Sequence, residues 1–368
     1  MRIDVRGNLF TQIENCKSQM SRDELIDKIL CYAQEVVTEE EFRRLFENSD
    51  HPEAYIGFEP SGFLHIGNFL ITSRMVNLLI DAGFHVKILL ADWHAFINDK
   101  FGGNMESIRA CGRYMEDAFR FSSDRRKGLD FVYATDVIGN ADYWTELIKN
   151  AKSVTLSRLK RALTIMGRSE DEAEMDSSKM LYPLMQVTDI FMLGVDVAYA
   201  GMDQRKAHML AREVAESRKL KKPVALHTPL LSSLKGNNRM DSALSKMSKS
   251  DPSGSIFLHD GEQEIYAKIK SAYCPVEEEA NPILDICRFV IFPYAGRIHV
   301  ERQEKYGGNV DFGDYVSLRE TYLSGKLHPL DLKTSVASAL WSIMEPFHRH
   351  YMENPSELDA VKQLKITR

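Results

Sequence analysis

The chain has 368 residues, 44% of them hydrophobic and 27% charged, which is ample for a buried core and suggests two or three domains. No run of about 18 apolar residues offers a membrane span, and Met1 to Phe10 lacks the apolar stretch of a signal peptide, so a cytoplasmic protein is expected. The formal net charge of -6 means that any contact with nucleic acid must come from local basic patches. The five cysteines, Cys16, Cys31, Cys111, Cys274 and Cys287, are widely spaced with no C-x-x-C pair, which suggests neither a disulfide framework nor a zinc site.

In chain order, Ser21 with Glu24 and Thr38 with Glu41 each form a capping-box pattern ahead of apolar residues such as Leu25, Ile29, Phe42 and Leu45. Residues 1–50 therefore read as an N-terminal helical appendage, and no chemistry is assigned to them. Ala54 to Phe58 is short, apolar and aromatic, as a buried strand is, and Pro60-Ser61-Gly62 is turn chemistry. From Ile66 the apolar residues Phe69, Leu70, Met75, Val76, Leu79 and Ile80 follow helical spacing, which places His65 and Asn68 at or near a helix's first turn. Free N–H groups there attract anions, and Gly57, Gly62 and Gly67 allow close approach. Phosphate suits this layout, although an ordinary strand, turn and helix would share it.

His85 to Trp93 is a second continuous apolar run, followed by a predicted helix at 105–121 and a strand at 130–135. That alternation predicts a doubly wound, Rossmann-like parallel sheet whose ligands bind beyond the strands' carboxyl ends. Val137 to Gly167 then turns helical, with Tyr143, Leu147, Ile148, Val154, Leu156, Leu159, Leu163 and Ile165 forming an apolar stripe that fits core packing or a dimer face. Lys149, Lys152, Arg158, Lys160, Arg161 and Arg168 supply a basic patch there that suits RNA.

Tyr182, Gln186 and Asp189 recur at spacings that share one helical face. They read either as ordinary buried polar residues or as ligand contacts. Val195 to Ala200 is another buried strand, and the following Gly201-Met202-Asp203-Gln204 would bring Asp203 and Gln204 to the same crevice as His65. Lys246-Met247-Ser248-Lys249-Ser250 lies in a polar stretch and reads as a mobile basic loop. Two lysines three apart can follow the oxygens of a polyphosphate while charge moves. Beyond it, Glu262 to Tyr273, Pro282 to Phe292 and Asp331 to Arg349 are predicted helices, with Pro329 as a break before the last.

H-I-G-N after a strand, followed later by K-M-S-K-S, resembles the paired signatures of class I aminoacyl-tRNA synthetases. A-Y-I-G-F-E-P-S-G, Y-P-L-M-Q-V-T-D and G-V-D-V-A-Y-A-G-M-D-Q-R-K are similar to stretches of tyrosyl-tRNA synthetases of the archaeal and eukaryotic type, and the likeness runs from about Ala54 to the C-terminus. It implies a catalytic Rossmann-like domain at 51–245 with a helical insertion at about 137–175, a loop and linker at 246–270, and an all-helical anticodon-binding domain at 271–368.

The implied reaction joins tyrosine and ATP, accompanied by Mg2+, into tyrosyl-adenylate and passes the tyrosyl group to the 3′-terminal adenosine of tRNA(Tyr), in a homodimer without a tightly bound cofactor. By the same resemblance, Tyr55 and Asp189 contact the substrate's phenol, while Tyr182, Gln186 and Gln204 hold its ammonium and carboxylate end. His65, Lys246 and Lys249 would stabilise the leaving phosphates. Gly57, Gly67, Asn68 and Asp203 complete the ATP site, with Asp203 on a ribose hydroxyl. Tyr306, His328 and Asp331 would embrace the first anticodon base.

Asn68 stands where the family signature usually ends in histidine; it keeps a neutral N–H donor but cannot carry positive charge, so the contact is expected to be retained, with room for some weakening. Tryptophanyl-tRNA synthetase and a non-catalytic tRNA-binding paralogue are the alternatives.

Overall fold

The computed structural model describes residues 20–123, 127–167, 176–236, 246–249 and 251–365. Strands β1 (Glu35–Val37), β2 (Glu53–Phe58), β3 (His85–Leu90), β4 (Leu129–Tyr133), β5 (Val197–Gly201) and β6 (Val224–Thr228) form a six-stranded sheet in the order β1-β6-β5-β2-β3-β4. All neighbouring pairs are parallel except β1, which pairs antiparallel with β6 through Glu35 and His227. The runs V-K-I-L-L and V-A-Y-A-G lack polar alternation because helices cover the sheet on both faces. The doubly wound expectation holds.

The chain builds β2, β3 and β4 outward in one direction and then returns to lay β5 on the other side of β2. The reversal opens a crevice between the carboxyl ends of β2 and β5, the topological switch point of such sheets. Helix α1 (Arg22–Tyr32) precedes the sheet. Helices α2 (Ile66–Ala82), α3 (Met105–Ser122), α4 (Ala141–Lys152), α5 (Leu156–Ala162), α6 (Tyr182–Met192) and α7 (Arg205–Arg218) follow their strands or form the insertion. Tyr143, Leu147, Leu159, Leu163 and Ile165 of the expected apolar stripe are buried, whereas Ile148 and Leu156 are 59% and 63% exposed beside the exposed Trp144. The stripe thus serves two surfaces.

The N-terminal region departs from the expected helical appendage. Both capping boxes form, at Ser21 with Glu24 and at Thr38 with Glu41. Between them, however, Glu35–Val37 is a strand. Its β-branched valines have little room to build a helix of their own, and the edge of β6 presents N–H and C=O groups that need partners. Phe42 completes the junction: it is fully buried and stacks on Phe84 with ring centroids 5.4 Å apart.

Helices α8 (Glu262–Ser271) and α9 (Pro329–Glu353) dominate the C-terminal part. Two details differ from the sequence reading. Pro329 opens α9 instead of breaking the chain before it, because the first helical position has no N–H partner to lose, and His328 caps the helix. A two-stranded antiparallel ribbon, β7 (Ile298–Val300) and β8 (Val310–Phe312), also interrupts the expected all-helical segment. Its apolar ends alternate with His299 and Asp311, and Gly307 and Gly308 supply positive φ angles for the connection.

One buried apolar cluster runs from Ile26 to Val361 and crosses the expected boundary at 271. Phe347 meets Phe69 edge-on at 5.3 Å, Tyr351 lies 5.5 Å from Tyr114, and His350 Nε2 approaches Asp117 Oδ2 at 2.7 Å. Helix α9 thereby braces α2 and α3, which carry the site. No described helix is long and apolar enough to cross a membrane.

Because Phe42 belongs to the sheet's own core, Phe42→Ala is expected to destabilise the fold by about 3–5 kcal/mol. Urea unfolding followed by far-UV circular dichroism should move the main transition. An unchanged midpoint would mean that residues 20–50 fold apart from the sheet.

Candidate active site

The sequence motifs converge on the crevice between β2 and β5. After β2 the chain runs through Glu59 to Leu64, and His65 then caps α2. After β5 the turn Met202–Gln204 leads directly into α7. Across from both lies α6, which presents Tyr182, Gln186 and Asp189 on one face, as the spacing predicts.

The inner half of the crevice is a buried polar pocket. Asp189 has no exposed surface, and Tyr55 on β2 is only 1% exposed. Burial pushes the Asp189 carboxyl up to about 7, opposed by a hydrogen bond from Tyr143. The Tyr143 hydroxyl donates to Asp189 Oδ1 at 2.8 Å, and His94 Nε2 stands 3.3 Å from Oδ2. Tyr55 is raised by burial and by the Asp189 charge, and a hydrogen bond from Gln186 opposes both. Gln186 Nε2 donates to Gln204 Oε1 at 3.4 Å, and Gln204 Nε2 donates to the Ile165 carbonyl. Asp189 Oδ2 and Gln186 Oε1 are buried acceptors without a hydrogen-bond partner in the protein. Leaving such atoms unpaired costs roughly 1–3 kcal/mol each, so they suit a ligand that donates to them.

The structure therefore gathers Tyr55, Tyr182, Gln186, Asp189 and Gln204. It also brings in three residues that the sequence reading missed. Tyr143 reaches Asp189 from the helical insertion, and His94 does so from the short helix Asp92–Ile97 after β3 while packing edge-on against the Tyr182 ring at 4.8 Å. Glu59 accepts hydrogen bonds from the Tyr182 hydroxyl at 3.0 Å and from Asn98 Nδ2 at 2.9 Å, with Lys100 Nζ 3.7 Å away. Their only sequence signal is polar character inside otherwise apolar stretches, and nothing in their spacing says that they meet.

The outer half is cationic and half-buried. Lys249 Nζ donates to Ser61 Oγ at 2.8 Å, and burial lowers the lysine's pKa. Lys246 Nζ pairs with Asp203 Oδ2 at 2.6 Å, both side chains being about one-third exposed. The loop carrying these lysines is stitched to the H-I-G-N turn: Ser248 N–H donates to Ser255 Oγ, and Ile66 N–H and Leu258 N–H bond the carbonyls of Ile256 and Leu64. Ser250 lies outside the described residues. Burial pushes the His65 imidazole down to about 3, and the Lys249 and Lys246 charges act in the same direction. His65 is thus neutral at pH 7, and its buried Nδ1 has no partner.

Asn68 makes a contact that the sequence reading did not foresee: its Oδ1 accepts from the backbone N–H of His65 at 2.9 Å, so it fastens the helix N-terminus. A Cβ on Gly67 would lie 3.2 Å from His65 Nδ1 and 3.3 Å from Leu231 Cβ, which explains the glycine. At Gly57 a Cβ would make only ordinary contact, 3.7 Å from Tyr55, and the residue is exposed at the end of a buried strand. The protein's own packing leaves that position open to a ligand.

The three RNA candidates lie in the C-terminal part. Tyr306 is 63% exposed on a short turn, His328 is exposed at the cap of α9, and Asp331 is one turn further in. Arg302, also missed, ties them: its guanidinium donates to the Gly308 and Lys326 carbonyls, so it fastens the turn holding Tyr306 to the approach to His328. In the expected basic patch, Arg158 pairs with Glu213 and Lys149 with Glu146, while Lys152, Lys160 and Arg161 are exposed. Arg168 lies outside the described residues.

Comparison with known proteins agrees with this geometry. Residues 47–345 match the family model described as tRNA synthetases class I (W and Y). The chain is 48% identical to the tyrosine–tRNA ligase of Picrophilus torridus over 323 residues, which is 87% of this chain and 97% of that protein. It is 44% identical to that of Saccharolobus solfataricus over 357 residues, 94% of this chain and 97% of that one. The crystal structure of tyrosyl-tRNA synthetase from Pyrococcus horikoshii, complexed with L-tyrosine, matches with a TM-score of 0.87 at 39% identity, covering 94% of this chain and 100% of that chain. A tryptophanyl-tRNA synthetase from Aeropyrum pernix K1, at 19% identity and a TM-score of 0.61 over 90% of this chain and 85% of that chain, shares the fold alone. The chain belongs to the class I tRNA synthetases of the tryptophan and tyrosine group, among the archaeal-type tyrosyl-tRNA synthetases.

Proposed function

We propose that the chain is a tyrosine–tRNA ligase, which activates tyrosine with ATP and transfers it to the 3′-terminal adenosine of tRNA(Tyr). The observation that carries this reading is the pocket around Asp189, where a fully buried carboxylate keeps Oδ2 unpartnered close to Tyr55. A phenol gives its O–H to that oxygen and accepts from Tyr55. Phenylalanine would leave both groups unpaired, which is the physical basis of the roughly 10⁵ discrimination known for tyrosyl-tRNA synthetases as a class. Gln186 and Gln204, with Tyr182 held by Glu59, suit the ammonium and carboxylate end.

In the first step the tyrosine carboxylate attacks the α-phosphorus of ATP, the bond to the bridging oxygen breaks, and pyrophosphate leaves with its electron pair. No protein nucleophile is required, so catalysis is positioning plus stabilisation of charge on the leaving group. His65 acts as a neutral donor, consistent with its lowered pKa, and Lys246 and Lys249 supply positive charge. Before ATP arrives, Lys246 is engaged by Asp203, but a pair this exposed is worth only about 0–1 kcal/mol and yields readily to phosphate. Asp203 is then free for the ribose, beside a nucleotide lying over Gly57 and Gly67. Magnesium is proposed to travel with ATP, held chiefly by phosphates and water.

Tyr306, His328 and Asp331 are proposed to embrace the first anticodon base, two rings stacking on it and a carboxylate accepting from its edge. In this reading residues 271–368 form the anticodon-binding unit, 246–270 link it, and 51–245 catalyse with the insertion at 137–175. Trp144, Ile148 and Leu156 give the insertion an exposed apolar face suited to homodimer contact, and the enzyme's place is the cytoplasm. The structural task of Asn68 weakens the case for a non-catalytic paralogue, because the substitution does not disturb the lysine loop.

Exchange of pyrophosphate into ATP, measured separately with tyrosine, tryptophan and phenylalanine and without tRNA, tests the reading. Only tyrosine is expected to support exchange, and exchange with tryptophan would change the substrate. Asp189→Ala should lower kcat/KM for tyrosine on the order of a hundredfold, because a charged hydrogen bond is lost. Near-normal activity in that variant would remove Asp189 from the phenol site. Gly67→Ala crowds the His65 ring and should slow exchange by about tenfold or more while leaving the unfolding free energy within about 1 kcal/mol of wild type.

A further inference from the structure

Asp189 has two oxygens in different surroundings, and the difference is made by residues outside the expected substrate set. On one side, Tyr143 of α4 donates to Oδ1 and also lies 3.4 Å from the Met185 carbonyl, so its hydroxyl is held between α6 backbone and side chain. On the other, His94 Nε2 lies 3.3 Å from Oδ2, too poorly aligned for a hydrogen bond, and Oδ2 is left without one. The His94 ring is itself fixed, 2% exposed and packed edge-on against Tyr182.

We infer that Tyr143 and His94 are positioning residues for tyrosine recognition: Tyr143 binds Asp189 Oδ1 and orients the carboxylate, and His94, packed beside Oδ2, keeps that oxygen turned toward the substrate's phenol. This rests on the tyrosine–tRNA ligase reading and deepens it, since it says what makes a fully buried carboxylate a usable acceptor. The direct contacts to the phenol remain with Tyr55 and Asp189.

The charges bear on this directly. Among the described residues, the titratable groups facing Asp189 are Tyr143 from α4, His94 from the short helix after β3, Tyr55 from β2 and Tyr182 from its own helix. None supplies a fixed positive charge. Burial pushes His94 down to about 4, so it is neutral, and it stands beside Oδ2 without a hydrogen bond to it. With the Asp189 carboxyl pushed up to about 7, the hydrogen bond from Tyr143, which favours the ionised form, helps set how much acceptor exists near neutral pH. Protonation weakens Oδ2 as an acceptor for a phenol, so tyrosine affinity should decline as pH falls through about 7, whereas phenylalanine, which gives nothing to Oδ2, should bind with little pH dependence.

The test is equilibrium binding of L-tyrosine and L-phenylalanine to the full chain between pH 6 and 8.5, without ATP, for wild type, Tyr143→Phe, His94→Leu and His94→Gln. Tyr143→Phe removes one oxygen and keeps the ring, so the fold should survive. It is expected to weaken tyrosine binding at pH 7 about tenfold or more, to move the midpoint of the pH dependence upward, and to leave phenylalanine binding alone. His94→Leu should weaken tyrosine binding and spare phenylalanine binding without moving the midpoint, and His94→Gln, which restores a polar edge beside Oδ2, should recover part of the loss. A purely structural role would weaken both amino acids together and leave the midpoint in place, which would overturn the inference. So would Tyr143→Phe binding tyrosine as wild type does. Failure of the wild-type protein to bind tyrosine would instead overturn the ligase reading on which this rests.

Discussion

A carboxylate taken wholly out of water is costly unless the protein supplies donors around it, and Asp189 sets that requirement at the centre of this structure. The elements around the crevice converge on it from different directions. Helix α6 carries the group, α4 brings the Tyr143 donor to one oxygen, the short helix after β3 brings His94 beside the other, and β2 brings Tyr55 close by. Those elements are far apart in sequence and meet only because the sheet reverses its direction of winding between β2 and β5. The topology is thus a condition for the pocket, and the pocket in turn explains why an otherwise apolar insertion buries a tyrosine hydroxyl. Satisfying one oxygen of Asp189 and sparing the other is what turns a costly charge into a recognition device.

The proposed phosphate side meets the opposite demand. Charges that are to bind a polyphosphate and let go would be defeated by permanent partners. Lys246 and Asp203 form a partly exposed, weak pair, while Lys249 rests on a serine hydroxyl instead of a carboxylate. What is rigid there is the backbone. The strand-like contacts that join residues 64–66 to 256–258 place the lysine loop beside His65 whatever the lysine side chains are doing. Further out, Phe347 and Tyr351 of α9 press on α2 and α3, so the C-terminal helices support the same helix N-terminus that faces the phosphates.

Much of this was legible in the sequence where the signal was local. Strands β2 to β5 announced themselves as apolar runs, α6 by its period, and the two N-terminal capping boxes by residue spacing, whereas β6 went unread. Glu35–Val37 was hidden because three residues carry no period and their strand exists only through pairing with β6, distant in sequence. The ribbon of β7 and β8 was hidden for the same reason. In the site, Tyr182, Gln186 and Asp189 could be grouped because one helix carries them. Tyr143 and His94 could not, since their partner lies on another element and only the packing brings them to it. Resemblance named residues that touch ligands; it was silent on those that hold them.

Asn68 shows how one position can be right in place and different in task. The sequence reading weighed it as a weaker version of a charged ligand, because the comparison was with histidine's chemistry. In the fold its carbonyl is turned back onto the His65 N–H, a bond that a short amide side chain at the third helical position makes easily. Asparagine here anchors His65 while giving up a side chain that could carry charge. With His65 itself held neutral by burial, the positive charge of the phosphate site resides on the lysine loop, and the helix N-terminus contributes oriented N–H groups. That division leaves the fixed part of the site nearly uncharged and puts its charge on the part that can yield to the nucleotide.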